Sequence, residues 1–298
     1  MPGSPLVKVA ARVEYVPGLT AFDGTLETGE GVTFVVGPNG AGKTTLLHVI
    51  AGALPPSSVK GDVRVLGANP FKEVWVKRYI ALARQEPTTF SWNYPLKTAL
   101  RLYAVLKGED PSAAEEVLDE LGLPPQRRVG ELSFGMKRKL EVAKLMLSRS
   151  ARVFLLDELI DLDQPTVAKV VDFLRAKAEE GACVVVVTHE PRHLQLLSGR
   201  VVVLKSGKVL RIIESRRELD DFLKTTLYEI TILAEGGDPA VLTGVGGVVR
   251  VVVEGEGFKT IRVKCSAATI NDVVLALISS GARIRKVEYD EITPLFEE

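Results

Sequence analysis

Cysteine is scarce in this sequence. Only two occur among 298 residues, Cys183 and Cys265, and both fall in runs that predict β-strands far apart along the chain. Secreted domains that depend on disulfide bonds carry many more cysteines in a shorter chain. The sequence therefore predicts reduced thiols and a cytoplasmic protein, and it argues against a disulfide framework.

An excess of charge of one sign is also absent. Lysine and arginine together number 38, aspartate and glutamate together number 38, and the formal net charge is +0. Proteins that attract nucleic acid or acidic lipid through their overall field carry a surplus of positive charge. No nucleic-acid partner is expected.

Long apolar runs are missing as well. The longest, at residues 184–187 and 201–204, are far shorter than the roughly 20 residues of a membrane-spanning helix. The first residues show no charged-then-apolar signal pattern. Hydrophobic residues nevertheless make up 46% of the chain, enough for a sizeable core, and 298 residues are enough for one large and one small domain. Any role at a membrane is therefore expected to need a separate partner.

The sequence does contain a glycine-rich loop between a predicted strand, residues 32–36, and a predicted helix, residues 44–51, that ends at Gly52. Glycines let backbone N–H groups surround a phosphate, and a helix N-terminus adds partial positive charge. The loop matches the pattern G-x-x-x-x-G-K-[ST] in full, with Gly37, Pro38, Asn39, Gly40, Ala41, Gly42, Lys43 and Thr44.

The residues at the end of this loop suit a nucleoside triphosphate. Lys43 would reach the β- and γ-phosphates, and the Thr44 hydroxyl would face Mg²⁺. Thr45, the next residue of the helix, belongs to the same set of nucleotide-binding candidates. The alternative is an ordinary glycine turn, which does not account for the strand, the helix and the Lys-Thr pair together. The loop predicts nucleotide binding but does not identify the reaction.

Tyr15 lies upstream of the loop, in a predicted turn between two short strands, residues 6–13 and 22–28. An exposed aromatic ring at this place could stack on a purine base. The alternative is a tyrosine packed on the surface of its own domain.

Further α/β elements surround the loop. Residues 153–158 predict a buried parallel strand that ends in two acids, Asp157 and Glu158, at the edge where α/β sheets bind ligands. Residues 95–148 predict three helices, and His189 directly follows a later strand. The other predicted elements are strands at residues 61–66, 78–84, 182–188, 200–204 and 208–212, and a helix at residues 165–180.

The end of the chain begins a new pattern. Residues 216–224 predict a charged connecting helix, and residues 225–298 then follow the order β-α-β-β-α-β. This order is typical of ferredoxin-like domains.

Together with the phosphate loop, several short motifs resemble the ATP-binding subunits of ABC transporters. Residues 132–139 resemble the family signature, residues 155–158 the Walker B strand, and residues 161–163 the D-loop. Thr188 and His189 resemble the switch histidine motif, Gln85 holds the Q-loop position, and Tyr15 holds that of the adenine-stacking aromatic.

The resemblance covers residues 1–220 and implies a fold. That fold is an α/β P-loop NTPase of ABC type, with a parallel core sheet, an antiparallel β subdomain and a helical subdomain at about 86–148. Residues 225–298 are similar to the accessory α+β domain, ferredoxin-like, on ATPase subunits of ABC-2-type exporters.

The resemblance also implies roles for the matched residues, with ATP and Mg²⁺ as cofactors. Asp157 would hold Mg²⁺ through water, opposite Thr44, and Glu158 would be the general base. The alternative for Glu158 is a carboxylate that only caps the next element. His189 would contact the γ-phosphate, and Gln85 would sense Mg²⁺ and report to a transmembrane partner.

Ser133 and Gly135 gain a function only in a pair of chains. In the family, two subunits pack head to tail, and the signature of one closes on the triphosphate bound to the other. A hydroxyl, a backbone N–H and a helix N-terminus suit a γ-phosphate. Ser133 is also expected to cap its own helix.

Three features depart from the family pattern. Phe134 replaces the first glycine of the signature, and Met136 replaces a glutamine. The segment after Glu158 is one residue shorter than usual and has no proline. We expect the shortened D-loop to affect hydrolysis rather than ATP binding.

The resemblance predicts the ATP-hydrolysing subunit of an exporter. It would sit on the inner face of the cell membrane through a separate permease, which would determine the substrate. Two alternatives are a soluble ABC ATPase outside transport and a regulatory nucleotide binder that hardly hydrolyses. The C-terminal domain either binds a small regulator or supports the dimer.

Overall fold

The computed structural model describes residues 4–84, 93–158, 162–188, 194, 197–225, 227–255 and 257–293. The strands in these residues form three sheets of six, three and four strands. The first two sheets belong to the part of the chain before residue 214, and the third lies near the C-terminus.

The six-stranded sheet has the order β5-β6-β7-β3-β8-β9, and its pairs are parallel except for β8 with β9. The carboxyl ends of β3, β6 and β7 therefore meet at one edge. Its strands are β3 (Gly31–Val36), β5 (Ile80–Ala83), β6 (Val153–Asp157), β7 (Cys183–Val187), β8 (Gly199–Lys205) and β9 (Lys208–Ile213).

Both faces of this sheet are covered, so its central strands are apolar on both sides. Phe154 and Leu156 pack in a core with residues of α4 (Phe134–Leu147) and α5 (Gln164–Glu179). Val153 and Leu155 face the other way and pack with α1 (Lys43–Ile50) and the three-stranded sheet. Cys183 and Cys265 are buried free thiols, as predicted.

The three-stranded sheet is antiparallel, in the order β2-β1-β4. Its strands are β1 (Val7–Val16), β2 (Leu19–Thr28) and β4 (Val59–Val65). β1 and β2 are longer than the sequence predicted, because register shifts beside Glu14 let pairing continue to Val16 and Leu19. The prediction that Tyr15 lies in a turn was wrong, since the residue lies in β1.

The three helices expected between residues 95 and 148 are confirmed as α2 (Leu96–Lys107), α3 (Ala113–Glu120) and α4. The strand expected at residues 78–84 was wrong at its start, because Val74–Tyr79 form a 3₁₀-helix and β5 begins at Ile80. Within the described ranges, no helix has both the length and the apolar character needed to cross a bilayer.

The C-terminal sheet is antiparallel, in the order β11-β12-β10-β13. It follows α6 (Arg216–Thr225), and α7 (Ile270–Ser279) lies between β12 and β13. The first helix of the expected pattern is only a 3₁₀-helix, Pro239–Gly244, and the ferredoxin-like assignment stays a prediction. The strands are β10 (Leu227–Glu235), β11 (Val248–Glu254), β12 (Phe258–Ser266) and β13 (Arg283–Thr293).

Candidate active site

The phosphate loop runs from β3 into α1 along a path that requires glycine at two positions. A Cβ atom on Gly37 would lie 2.1 Å from the carbonyl oxygen of Leu204, and one on Gly42 would lie 2.4 Å from that of Ala21. Gly42 also has a φ of 94° and is the N-terminal cap residue of α1. The loop is therefore packed closely between β2 and β8, and larger residues would displace it.

Lys43 is the first residue of α1 and is almost completely buried. Its Nζ donates to the carbonyl oxygens of Gly37, at 2.8 Å, and Pro38, at 2.9 Å. These bonds hold the ammonium group inside the curve of the loop, beside the N-terminus of α1. Positive charge from the side chain and from the helix is thus concentrated where the sequence predicts triphosphate binding.

The middle of the loop is open to solvent. Asn39 and Gly40 are exposed, and Ala41 is buried beneath them. The backbone N–H of Ala41 donates to the carbonyl oxygen of Pro38 at 3.1 Å, which closes the turn. The loop therefore presents backbone rather than bulky side chains to a ligand.

Thr44 and Asp157 meet across the sheet edge. The Thr44 hydroxyl donates to Asp157 Oδ1 at 3.2 Å, although the two residues are far apart in sequence. Asp157 is 1% exposed, and its Oδ2 atom has no hydrogen-bond partner among the described residues. Burial raises the pKa of Asp157 to about 6, helped by the neighbouring Glu158 charge, while the Thr44 hydrogen bond opposes the shift.

These groups fit a magnesium ion. The buried Oδ2 atom lacks a protein partner, and a hydroxyl oxygen lies beside the same carboxylate. Mg²⁺ prefers oxygen ligands and usually takes one or two from the protein, with water and substrate phosphates completing the shell. Thr44 and Asp157 are therefore suitable protein ligands for Mg²⁺ bound together with a nucleotide.

Glu158 follows β6 directly and has a left-handed backbone, with φ of 67°. Such a conformation is unfavourable for a residue with a side chain. Glu158 is 8% exposed, and its carbonyl oxygen accepts a hydrogen bond of 2.7 Å from Arg138 Nη2. The candidate base is thus held at the same sheet edge as Lys43 and Asp157.

Tyr15 is joined to the start of α1. Its hydroxyl lies 3.1 Å from Thr45 Oγ1, and the residue as a whole is 49% exposed. The hydroxyl contact fixes the ring near the phosphate loop without burying it. This placement is compatible with base stacking and also with a tyrosine that only packs on α1.

Ser133 and Gly135 lie at the N-terminus of α4. Ser133 is the cap residue, and its hydroxyl accepts a hydrogen bond from the Met136 backbone N–H at 3.3 Å. Ser133 and Phe134 are exposed. The expected cap is therefore present within one chain, and the serine remains accessible to a second one.

Some of the expected site residues cannot be compared with the structure. Gln85, Asp161 and His189 lie outside the described residues. Conversely, no role for Arg138 was predicted from the sequence, and the structure places its side chain against the backbone of Asp157 and Glu158. The signal available in the sequence was the position of this cation, two residues before the largely apolar residues 140–147 of the same helix, all of which are buried.

Comparisons with known proteins agree with this geometry. Residues 19–161 match the family model described as ABC transporter. The methionine import ATP-binding protein MetN of Caulobacter vibrioides is 30% identical over 93% of this chain and 86% of its own length. The uncharacterized ABC transporter ATP-binding protein YxlF of Bacillus subtilis is 32% identical over 59% of each chain.

The fold also matches a solved dimeric structure of an ATP-binding cassette in a post-hydrolysis state, bound to ADP and Pi. The TM-score is 0.58 at 23% identity, over 70% of this chain and 99% of that chain. The chain spans 59% of the length of YxlF, and 38% and 46% of the length of two other curated relatives. On the family match and the extent of the MetN alignment, this chain belongs to the ABC transporter family and contains its ATP-binding domain.

Proposed function

We propose that this chain is the ATP-hydrolysing subunit of an ABC transporter, forms a head-to-tail dimer around two ATP molecules, and drives a separate transmembrane subunit. The observation that supports this most is the meeting of Lys43, the Thr44–Asp157 pair and Glu158 at one sheet edge. These residues supply a phosphate-binding cation, oxygen ligands and a carboxylate base, which phosphoryl transfer to water requires.

In the proposed mechanism, Lys43 and the N-terminus of α1 bind the β- and γ-phosphates. Thr44 would hold Mg²⁺ with its hydroxyl and Asp157 would hold it through water, and the ion would offset the negative charge of the phosphate oxygens. Glu158 orients the attacking water and accepts its proton as the new P–O bond forms. The bond between the γ-phosphorus and the bridging oxygen breaks, and ADP and phosphate result.

Three further residues complete the proposed site. Gln85 is proposed to sense Mg²⁺ and the attacking water, and His189 to stabilise charge on the γ-phosphate. Ser133, at the exposed N-terminus of α4, is proposed to contact the triphosphate on the second chain. The similar cassette that was solved as a dimer with ADP and Pi supports such a pairing.

A Glu158→Gln variant tests this function. We expect phosphate release to fall by at least about 100-fold, because the base is lost while the shape of the side chain is kept. With saturating ATP and Mg²⁺, light scattering should report a dimer, because the nucleotide is bound but not consumed. Glu229→Gln, an exposed residue of the C-terminal sheet, is the matched control. Full turnover in Glu158→Gln, or a monomer in the presence of ATP, contradicts the proposal.

We propose that the transmembrane subunit docks in a groove of about 620 Å³ between the 3₁₀-helix Val74–Tyr79 and α2. Its exposed apolar residues are Val74, Trp75 and Leu106. Arg78 and Lys107 line the same groove and add positive charge. The groove fits a segment that carries apolar and acidic residues.

Co-purification tests this docking. The wild-type chain should be isolated together with a polytopic membrane protein. Leu106→Asp should lose that protein while the isolated chain keeps its ATP turnover, because a carboxylate in the groove repels an acidic segment. A partner retained by Leu106→Asp would place the docking surface elsewhere. The absence of any membrane partner would favour a soluble ABC ATPase.

We propose export as the direction of transport, because the order of elements at residues 225–298 is similar to that of the accessory domain on ATPase subunits of ABC-2-type exporters. Import is the second candidate, because the methionine import protein MetN aligns with 93% of this chain. In either case the chain would sit on the inner face of the membrane through its partner. Identification of the co-purified membrane protein decides between the two directions.

A further inference from the structure

Arg138 is a buried cation whose guanidinium group joins three backbone segments. It lies on α4, five residues after Ser133, and is 3% exposed. Its Nη1 donates to the carbonyl oxygen of Arg84 at 2.6 Å. Its Nη2 donates to those of Asp157, at 3.3 Å, and Glu158, at 2.7 Å. One side chain of α4 therefore links this helix to the residue after β5 and to the end of β6.

The link to Glu158 counteracts an unfavourable backbone. A left-handed conformation is unfavourable for a residue with a Cβ atom, and Glu158 has it with φ of 67°. A hydrogen bond from a charged donor is stronger than one from a neutral donor. The bond from Arg138 therefore fixes the peptide group to which the candidate base is attached.

The neighbouring residue of α4 holds the chain a few residues further on. Lys139 Nζ lies 2.6 Å from Asp163 Oδ2, and Asp163 Oδ1 accepts from the Thr166 backbone N–H at 2.9 Å, capping α5. The hydrogen bond from Lys139 has the largest effect on the pKa of Asp163, and together with those from Thr166 it lowers this pKa to about 2. Two consecutive residues of α4 thus attach to the end of β6 and to the start of α5.

We infer that Arg138 is a positioning residue for ATP hydrolysis: it holds the backbone of Glu158 so that the carboxylate meets the attacking water. This inference rests on the proposed function, in which Glu158 is the base. An arginine suits the task because its planar fork donates in two directions at once, whereas a lysine amine offers a single point of charge. Arg138 itself contacts carbonyl groups and is not proposed to touch ATP.

A purely structural role makes a different prediction. If Arg138 only stabilised the fold, its loss would lower the folded fraction, and the turnover per chain and the number of ATP-binding sites per chain would fall together. If it positions Glu158, turnover falls while ATP affinity and the number of ATP-binding sites are kept, because Lys43 and Thr44 are held by hydrogen bonds to the phosphate loop and to Asp157. The separation of kcat from ATP affinity is therefore the informative measurement.

The experiment compares Arg138→Met and Arg138→Lys in the full chain. We expect Arg138→Met to lower kcat on the order of 100-fold, as small displacements of a reacting group do. The Kd for ATP should stay within about threefold, because the phosphate-binding residues are intact. The kcat of Arg138→Lys should lie between that of Arg138→Met and that of the wild type. Hydrogen exchange of the backbone amides in residues 153–158 should become faster in Arg138→Met, and exchange in residues 37–44 should not change.

Arg200→Met is the matched control. Arg200 is half-buried on β8, and it also donates to a backbone carbonyl, that of Glu27, and to the Thr33 hydroxyl at 3.1 Å. It lies at the start of β8, whereas the site lies at the carboxyl ends of the parallel strands. We expect Arg200→Met to keep the wild-type kcat and the wild-type exchange in residues 153–158.

The possible results separate this inference from the proposed function. Wild-type turnover in Glu158→Gln would overturn the assignment of the base, whatever Arg138 does. An inactive Glu158→Gln with a fully active Arg138→Met would overturn the role of Arg138 alone. A loss of turnover in Arg138→Met that is matched by an equal loss of ATP-binding sites per chain, or by an equal loss of ATP affinity, would also overturn it. If Arg138→Met does not fold, kcat and ATP affinity of Arg138→Lys, compared with those of the wild type, decide whether Arg138 positions Glu158.

Discussion

The part of the chain before residue 226 and the C-terminal sheet, residues 227–293, differ in the polar groups that they bury. Among the side chains that the structure describes, the C-terminal sheet and its helices bury the hydroxyl groups of Tyr228, Ser266 and Thr269, and no charged group. In the described residues before position 226, six charged side chains are buried: Lys43, Arg138, Glu141, Lys144, Asp157 and Glu158. Burying a charge is costly unless it is paired, so this asymmetry needs a reason.

The position of the charges supplies that reason. Lys43, Arg138, Asp157 and Glu158 all contact the loops at one edge of the six-stranded sheet. Glu141 and Lys144 form an ion pair of 2.6 Å, and Glu141 also accepts from the Arg84 backbone N–H at 2.9 Å. Four of these six charges therefore lie where a triphosphate is proposed to bind, and the other two neutralise each other in a buried ion pair. The C-terminal unit, by contrast, is held together by apolar packing.

The largest expected effect compares two lysines with the same local contact. Lys43 donates to the Gly37 carbonyl oxygen at 2.8 Å, and Lys259, in the C-terminal sheet, donates to that of Gly237 at 2.7 Å. We expect Lys43→Met to weaken ATP binding on the order of 100-fold, because a charged hydrogen bond to phosphate is lost. Lys259→Met should leave the Kd for ATP unchanged. Titration with ATP under Mg²⁺, without turnover, provides the measurement.

Equal losses of affinity in the two variants would show that methionine disturbs the chain generally. Unchanged affinity in Lys43→Met would remove the phosphate loop from the proposed site. Thermal unfolding of both variants without nucleotide serves as the control for stability, since Lys43→Met loses the hydrogen bonds to Gly37 and Pro38 and Lys259→Met loses the one to Gly237.

The features that the sequence predicted well depend on residues close together in the chain. The phosphate loop is one: its glycines, Lys43 and the start of α1 lie within a few residues, and close packing at Gly37 and Gly42 demands that order. The Ser133 cap is another, since it bonds Met136 three residues later. Such local geometry follows from residue type and spacing.

The features that it missed depend on contacts between distant residues or on backbone irregularities. Arg138 meets Arg84 and Glu158, which lie 54 and 20 positions away, and no periodicity encodes that meeting. Tyr15 was expected in a turn because Pro17 and Gly18 follow it, but the register shifts in β1 extend the strand past it. Residue types alone do not fix either outcome.

An intermediate effect on ATP affinity is expected at Tyr15, where base stacking and surface packing are the two alternatives. Stacking of a base on an aromatic ring contributes about 1–3 kcal/mol. If the half-exposed ring stacks on adenine, Tyr15→Ala should weaken ATP binding by roughly 10-fold, and Tyr15→Phe should bind ATP normally. Normal ATP affinity in Tyr15→Ala would show that the ring only packs on α1. Tyr15→Phe is the internal control, because it removes only the hydroxyl contact to Thr45.

The smallest effect concerns stability and contrasts one tyrosine from each region. Tyr228 is completely buried in the C-terminal sheet, and its hydroxyl has no hydrogen-bond partner among the described residues. The hydroxyl of Tyr103, on α2, lies 3.1 Å from Ser148 Oγ. An unsatisfied buried hydroxyl is unfavourable, whereas a satisfied one is mildly favourable. We therefore expect Tyr228→Phe to raise the free energy of unfolding by about 1 kcal/mol and Tyr103→Phe to lower it by about 1 kcal/mol. Urea unfolding of the full chain measures both. A loss of stability in Tyr228→Phe would mean that its hydroxyl has a partner, and that the C-terminal core is not held by apolar packing alone.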